Sequence, residues 1–549
     1  MKIRFIFYLQ LILATLNFAQ GVTQPLYSDV YKFLSRQASL GNITFNDEIR
    51  PLSREYIYSK LNELKTKNQN TSLLNKIDEQ ELQFWIVEFN LESNPDFDNN
   101  ENESYHFFKD ELGRYRLFTF SNEIIKMNVD PIYGIKVNIG ENSNFTHTWN
   151  GVRFYGYLND NIAFNFDFRD NEESGKNLDR AKLFSAETGV VKSLQDADRF
   201  QYSEIHTSLS YSWSWGNLTA AKDFINWGYG SGGLLVLSSK APSFPYIKLD
   251  LHPTNWLSFN YFHAWLNSRV IDSTETYKSL RNGSQYSRTI YRKKYLASHT
   301  LTIRPAKGIS LMLGESVVYS DNLEIAYLFP LMFFRAADHY LSGNNNNAGA
   351  NSQFFFGFNL RNIIPKTEIY GSIIVDEIRL QDIFSKELQR NQAGYTIGLN
   401  NYDLFISNLK LTAEYTRIQP FVYRHYIPTQ TYESDNYLMG HWIGHNADLL
   451  YLNIEYKLMR GLSSQFYMQF MKKGEDGTVD AQYTLPSKPF LFGLNKLMKV
   501  YGMKFKYEPF HDLIAEIGIE QNIFRQQLVS PDYTETTKTN FSFAIYYGM

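Results

Sequence analysis

From about residue 115 to the end of the chain, apolar and polar residues alternate one by one. One example is the run Ile162, Phe164, Phe166 and Phe168, whose members are separated by Ala163, Asn165, Asp167 and Arg169. The same alternation returns at 462–470, at 501–508 and in the final segment, 541–549. Successive side chains of a β-strand point to opposite faces, so each run predicts a strand with one face for lipid and one for a polar interior.

The connections between these runs alternate in length. Tight turns are indicated at 159–160, 215–216, 253–254, 305–307, 459–461 and 509–511. Long stretches lie between them, at 171–200, 226–244, 267–295, 319–352, 418–443, 472–496 and 526–537. Short turns at one end and long loops at the other are typical of bacterial outer-membrane barrels, in which the short turns face the periplasm.

These patterns predict an all-β transmembrane fold. About nineteen segments qualify as strands, each of roughly ten residues, the length that a tilted membrane strand needs. Both chain ends of such a barrel normally lie in the periplasm, which requires an even number of strands. We therefore predict an antiparallel outer-membrane β-barrel of about 18 strands over 131–549, with the segment near residue 121 outside it. A soluble sandwich or propeller is the alternative fold, but it does not need this systematic alternation of loop lengths.

The N-terminal part of the chain has a different period. Between residues 25 and 91, apolar positions recur every three or four residues, which predicts three short helices. Ser53 and Asp78 resemble helix N-caps, and Asp78 stands three residues before Glu81. We expect a small periplasmic helical domain over 20–91, followed over 92–130 by a linker and a segment that could serve as a plug.

The first residues have the features of a secretory signal peptide. Lys2 and Arg4 are basic, residues 5–16 are apolar, and a site of small residues precedes Gln20. We expect residues 1–19 to be a signal peptide and the rest to be exported to the outer membrane, with the long loops extracellular.

Composition supports the barrel and excludes several kinds of site. The chain has 42 Phe, 39 Tyr and 8 Trp, yet its mean hydropathy is −0.37, which suits a barrel with aromatic girdles. The net charge of −3 gives no basic face for nucleic acid. The absence of cysteine excludes disulfides, thiolate metal sites and a lipid-bearing cysteine. The sequence indicates no cofactor.

Several motifs resemble the capsule-assembly Wzi family and the related RemB-type outer-membrane proteins of gliding motility. These are Lys222-Asp223-Phe224-Ile225-Asn226-Trp227-Gly228-Tyr229-Gly230 with 234–239 and Ala241-Pro242, Gly314-Glu315-Ser316 with Tyr319, Tyr327-Leu328-Phe329-Pro330, and Gly444-His445-Asn446-Ala447-Asp448-Leu449-Leu450. The resemblance implies a periplasmic helical segment ahead of an 18-stranded barrel. It also implies a lectin-like role, holding capsular polysaccharide or exopolysaccharide at the surface, or a part in adhesion and gliding. It supplies no catalytic residues.

Aromatic residues in a glycine-rich stretch are candidates for glycan binding. Trp227 and Tyr229 lie within 227–233 at the outer end of a strand, where flat rings could stack on sugars and Asn226 and Asp223 could bond hydroxyls. The alternative is that both rings belong to the aromatic girdle at the membrane interface.

Histidines and carboxylates give weaker candidates. His441 and His445 stand four residues apart with Trp442 between them, but on a strand this spacing is too wide for ligands of one metal ion. We therefore predict no metal site and keep all three as glycan-binding candidates. Glu315, with Asp321 and Glu324, could act on a glycan as paired carboxylates, but a solvated role explains them as well.

Three functions follow from these observations. The favoured one is a non-catalytic barrel whose partners are outer-membrane lipid, a surface polysaccharide and a periplasmic export or motility component. A pore is the alternative, with Lys504, Lys506, Asp167 and Arg169 lining an aqueous lumen. A lipid- or glycan-modifying barrel enzyme is the weakest, because the sequence has no Gly-x-Ser-x-Gly elbow.

Overall fold

Eighteen antiparallel strands close into one barrel in the computed structural model, which describes residues 21–93, 103–141, 144–345, 349–377, 392–529 and 532–548. The predicted signal peptide and most of the linker region before residue 103 lie outside the described residues. The predicted fold class and strand number are confirmed. The strands are β1 Ile125–Gly140, β2 Asn144–Leu158, β3 Ile162–Gly175, β4 Arg199–Trp213, β5 Gly216–Asp223, β6 Phe244–Thr254, β7 Leu257–Ile271, β8 Tyr291–Ala306, β9 Ile309–Ser320, β10 Asn351–Arg361, β11 Thr367–Glu377, β12 Gln392–Tyr402, β13 Leu409–Ile418, β14 Ala447–Met459, β15 Leu462–Lys473, β16 Lys496–Phe510, β17 Leu513–Val529 and β18 Asp532–Tyr547.

The barrel closes where the last strand meets the first. Strand β18 pairs with β1, with Tyr547 opposite Tyr133 and Asn540 opposite Gly140. The first part of β1 pairs instead with Tyr115–Ser121, which forms a hairpin with Ser104–Lys109. The segment near residue 121 is thus outside the closed ring, as expected. The first barrel strand begins at Ile125 rather than at residue 131.

Strand lengths differ from the expected ten residues. They range from 8 residues in β5 to 17 in β17. The expected long loop at 526–537 is wrong, because β17 and β18 stay paired up to Val529 opposite Asp532. Such a hairpin satisfies its own backbone hydrogen bonds, so it can extend past the membrane without lipid around it.

The two faces of the wall have the predicted character. Along β3, every second residue from Ala163 to Glu173 is buried, and Asp167 and Arg169 form an ion pair with 3.1 Å between Oδ1 and Nε. On the opposite face, large apolar side chains are exposed, such as Leu209 at 59% and Leu313 at 61%. The lumen is therefore polar near β3 and the outer wall is apolar.

Three helices precede the barrel: α1 Val30–Ser39, α2 Arg54–Thr71 and α3 Lys76–Glu88. The predicted N-cap Ser53 is confirmed, because its side chain accepts a hydrogen bond from the Tyr56 N–H. The prediction for Asp78 is wrong. Asn75 caps α3 by accepting from the Asp78 N–H at 2.9 Å, so the helix begins three residues earlier. Both residues are good capping acceptors, and the sequence does not choose between them.

The helices sit in the short-turn end of the barrel. The Phe84 ring stacks on His511 in the turn between β16 and β17, with 3.7 Å between centroids. The N–H of Gly461, in the turn between β14 and β15, donates to Glu81 Oε1 at 3.0 Å. Among the described residues, no helix is both long enough and apolar enough to cross a membrane.

Two outer loops fold back into the lumen and form an apolar core there. Loop 224–243 supplies Trp227, Leu235, Val236 and Leu237, and loop 419–446 supplies Val422, Tyr423, Tyr432, Met439 and Trp442. They pack on inward-facing wall residues such as Phe262 and Phe355. We call this core the outer plug. A short strand pair, Ile49–Arg50 with Asn226–Trp227, joins it to the helical domain inside the barrel.

Candidate functional site

A polar cavity of about 440 Å³ lies between the helical domain and the outer plug. The helical domain contributes Lys32 and Arg50, and the barrel wall contributes charged and aromatic side chains such as Arg361 and Tyr402. Three of the predicted residues line it from the loops: Asn226, Tyr229 and Trp442. We call this space the inner cavity.

Trp227 is placed differently from either sequence-based expectation. Its side chain is 0% exposed, and its ring meets Phe262 and Phe355 edge-on with centroids 5.0 and 6.0 Å away. It belongs neither to a membrane girdle nor to an open surface. Because neighbouring rings cover it, Trp227 is not open to a sugar in this structure and instead forms the centre of the outer plug.

Tyr229 and Asn226 have polar atoms available at the inner cavity. The Tyr229 hydroxyl and the Asn226 Oδ1 are buried, and neither has a hydrogen-bond partner among the described residues. Burial raises the pKa of Tyr229 well above its usual value, so the hydroxyl keeps its proton. Buried polar atoms without partners are uncommon, and these two could bond a polar ligand or water.

The two predicted histidines hold loop backbone in place. His441 is 0% exposed and its Nδ1 accepts from the Ile443 N–H at 3.3 Å, while His445 Nδ1 accepts from the Phe421 N–H at 3.1 Å. Burial lowers the pKa of His441 to about 3, and burial together with Lys473 lowers that of His445 to about 3. The intervening Trp442 lines the inner cavity and donates its Nε1–H to the Gly232 carbonyl at 2.7 Å.

Asp223 and Glu315 lie away from the inner cavity's lining. Asp223 ends β5, and its carboxylate accepts from the adjacent Phe224 N–H at 2.7 Å. Glu315 is 2% exposed in the middle of β9 and accepts from the N–H groups of Phe334 and Arg335. The described residues contain no group of three or more His, Cys, Asp or Glu side chains placed to hold a metal ion.

A second pocket of about 270 Å³ lies at the long-loop end of the barrel. Its lining includes three cationic side chains, Arg269, Lys294 and Arg424, together with Tyr426 and Glu433. We call it the outer pocket. Sequence analysis did not select these cations, although all three lie in predicted long stretches, because charged residues are ordinary in surface loops.

The cations of the outer pocket differ in how they are paired. Arg269 is neutralised by Asp435, with 2.7 Å between Nη2 and Oδ1. Lys294 is 2% exposed, and its Nζ donates to the Thr431 carbonyl at 2.7 Å. Within the described ranges, no carboxylate forms an ion pair with Lys294 or Arg424. Glu433, in the same lining, attracts the Lys294 ammonium group without forming an ion pair with it. A buried ammonium group that lacks a direct ion pair is costly, and an anionic ligand would offset that cost.

Comparison with known proteins identifies the family and the fold. The family described as capsule assembly protein Wzi matches residues 132–535, more than half of the chain. Comparison with curated proteins gave no match. Among solved structures, the chain is similar to Wzi of Escherichia coli, described as an outer-membrane protein involved in group 1 capsule assembly and as a carbohydrate-binding β-barrel. The identity is 10%, the TM-score is 0.57, and the match covers 97% of this chain and 100% of that one.

Two further barrels share less of the structure. OccAB2 of Acinetobacter baumannii matches at 12% identity and a TM-score of 0.42, over 76% of this chain and 97% of that one. OprD of Pseudomonas aeruginosa matches at 11% identity and a TM-score of 0.41, over 77% and 94%. The extent of the family match decides the assignment. The chain is an outer-membrane β-barrel that belongs to the capsule assembly protein Wzi family.

Proposed function

We propose that this chain is a non-catalytic outer-membrane protein that binds surface polysaccharide through its outer pocket. Membership of a family described as capsule assembly protein supports a role at the cell surface. The structurally similar barrel of Escherichia coli is described as carbohydrate-binding, which supports the same class of ligand here. The proposal assigns no catalytic residue.

The observation that carries this proposal is the excess of positive charge in the outer pocket, whose lining holds three cations and one carboxylate, Glu433. Lys294 and Arg424 line it without a carboxylate partner among the described residues, beside the exposed ring of Tyr426. A sugar ring can stack on a tyrosine face while a carboxylate on the sugar meets a guanidinium group. The proposed ligand is therefore a polysaccharide that contains acidic units.

The inner cavity suits a polymer less well. The helical domain and the outer plug enclose it, so a long chain would have to displace one of them. Tyr229, Asn226 and Trp442 remain candidates for binding a short polar group there, and Trp227 would act only by supporting the plug. Replacing Tyr229 with Phe should leave polysaccharide binding at the outer pocket unchanged.

The direct test is binding of the host's purified capsular or exopolysaccharide to the isolated barrel. The variant Arg424→Gln should weaken binding by at least about tenfold, because a charge-assisted hydrogen bond contributes roughly 1.5–3 kcal/mol. Arg288→Gln is the matched control, since Arg288 is exposed on a hairpin outside the pocket. Equal binding by both variants would contradict the assignment of the pocket. No binding by the parent protein would contradict the function itself.

The other predicted roles need cellular tests. A deletion strain should release polysaccharide into the medium if the chain anchors it, and should spread poorly if the chain serves adhesion or gliding. Partnership with a periplasmic component stays a prediction. The pore alternative is disfavoured by the side chains packed at both ends of the lumen, and conductance of the purified protein in a planar bilayer would test it.

A further inference from the structure

One sector of the barrel wall carries buried side chains on its outward face. On β7, β8 and β9 the inward residues include Phe262, Leu296 and Met312, which pack on the outer plug. Alternation therefore directs Tyr261, Tyr295 and Val317 outward, toward lipid. These three are only 5%, 7% and 0% exposed, whereas Leu313, on the same outward face of β9, is 61% exposed.

The covering comes from the loop between β9 and β10. Residues 323–341, here called the wall-covering segment, contain a short 3-10 turn and most of helix α4, Phe334–Asn345. Tyr327 and Phe334 are buried against the outward face in one cluster with Tyr261 and Val317. The Tyr261 hydroxyl donates to the Tyr327 carbonyl at 2.9 Å. The segment thus lies on the outside of the barrel wall, not in its lumen.

Glu315 anchors this segment. Its two carboxylate oxygens accept from the first N–H groups of α4, 2.9 Å from Phe334 and 2.6 Å from Arg335. An outward-facing carboxylate would be unfavourable in a bilayer by itself, and so would an uncapped helix N-terminus, because hydrocarbon offers no hydrogen bonds. Here each group satisfies the other. A helix that begins at membrane depth requires such a hydrogen-bonded arrangement.

The position of Glu315 along β9 agrees with a helix that begins at membrane depth. It stands six residues after Ile309, where β9 begins at the short-turn end. Six residues of a strand tilted by roughly 40° rise about 15 Å, and the apolar band of such barrels is about 25 Å tall. The contact between Glu315 and α4 therefore lies well inside the band.

The first part of the wall-covering segment, residues 325–333, is strongly apolar on its outer side. Five large side chains in nine residues are exposed: Ile325 at 71%, Leu328 at 38%, Phe329 at 61%, Leu331 at 83% and Phe333 at 56%. Contiguous apolar surface of this kind marks an interface, since leaving it in water costs about 25 cal/mol per Å². The Phe333 ring meets the outward-facing Phe354 of β10, with 6.0 Å between centroids, so this surface continues the lipid-facing wall.

We propose that the wall-covering segment is embedded in the outer leaflet of the membrane and binds lipid acyl chains. The barrel would then have a double wall over β7, β8 and β9, with the segment between the strands and the lipid. A second copy of this chain could also cover an apolar face. Continuity with the lipid-facing wall and the depth of Glu315 favour lipid.

The chain has no cysteine, so single-cysteine variants give an unambiguous test. Leu331→Cys reports on the segment, Leu313→Cys on the bare lipid-facing wall, and Leu280→Cys on the outer hairpin, where Leu280 is 73% exposed. Each variant carries a fluorescent thiol label and is reconstituted in phosphatidylcholine vesicles with or without nitroxide-labelled lipid. Circular dichroism confirms the barrel in each variant.

The expected result is that the label at Leu331→Cys loses fluorescence to nitroxide lipid as the label at Leu313→Cys does, while the label at Leu280→Cys does not. A label at position 331 that responds only to a water-soluble quencher, like the one at position 280, would overturn the proposal. Protection from both quenchers would also overturn it and would indicate a second copy on this face, which cross-linking of Leu331→Cys between protomers would reveal.

Discussion

The two ends of the lumen are closed by different forces. At the periplasmic end the helical domain meets the barrel mainly through ion pairs, whereas at the outer end the loops meet it through an apolar core. Residues of the helical domain pair with the wall, the turns and the N-terminal hairpin as follows: Asp29 with Lys506, Lys32 with Glu455, Arg36 with Asp403, Asp47 with Arg361, Glu48 with Arg304, Glu81 with Lys457, and Glu88 with Arg114.

This difference follows from the kind of surface that each part contacts. At the periplasmic end the inner wall is polar, so a domain that docks against it must present matching charges. Buried ion pairs add little net stability, but each fixes a partner and a distance, so we expect them to define how the helices sit. The outer plug buries rings and aliphatic side chains, which stabilise it strongly and with less directional constraint.

The largest loss of stability should come from disrupting the apolar core of the outer plug. Trp227→Ala removes a fully buried ring and should destabilise the outer plug by about 3–5 kcal/mol. Hydrogen exchange of loops 224–243 and 419–446 measures this loss, while exchange of α2 and α3 should change little. Trp215→Ala is the control of the same residue type, because Trp215 is 51% exposed in a tight turn. Slow exchange of both loops in the Trp227 variant would show that the plug is not held by this core.

A smaller loss of stability is expected at the periplasmic end, where ion pairs hold the helical domain. The Arg114 side chain is 1% exposed and pairs with Glu88, Asp130 and Asp512. Arg114→Met removes one cation from this cluster, although Glu88 keeps Arg54 and Asp130 keeps Arg116. The change should weaken helix docking by about 3 kcal/mol, at the low end for a buried pair, because of these remaining partners and because Asp512 is partly open to water. Exchange of α2 and α3 should rise, and that of the outer plug should not.

Arg199→Met provides the matched control for that variant. The pair of Arg199 with Asp196 is exposed, so its loss should change stability very little. If Arg114→Met opened both ends equally, the two closures would form one cooperative unit, and the distinction between them would fail.

Much of this fold could be predicted from the sequence because strands and helices each produce a regular spacing of apolar residues over a few neighbouring positions. Alternation gave the strands and their two faces, and three- and four-residue spacing gave the helices with the Ser53 cap. What covers each face was not predictable. Alternation directs Glu315 outward, but nothing near it in the chain indicates that α4 lies against it.

The candidate sites were less predictable for the same reason. Trp227 has the same local sequence whether it stacks on a sugar, lies in a girdle or forms a core, and only the inward fold of loop 224–243 decides between them. The outer pocket brings Lys294 of β8 next to Arg424, which is more than a hundred residues away in the chain. Such a meeting depends on tertiary structure and leaves no local pattern.

Acid should separate the two ends by the pH at which each one loosens. Burial would raise the pKa of Asp29, but Lys506 and Lys32 outweigh it and lower the pKa to about 2. Its contribution to docking is therefore complete above pH 3.8, the unfolded value, and is lost as the pH falls toward 2. His441 behaves differently. Burial lowers its pKa from 6.5 to about 3, so the outer plug loses stability as the pH falls from 6.5 toward 3.

Acidification should thus loosen the outer plug at a higher pH than the helices. Hydrogen exchange between pH 7 and about pH 2 measures the order of opening. His441→Asn, which keeps a polar side chain without a titrating ring, should flatten the pH dependence of the outer plug only. Asp29→Asn should weaken helix docking at pH 7 and flatten its dependence below pH 4. Helices that open before the loops would mean that the ionic end, not the buried histidine, is the more acid-sensitive closure.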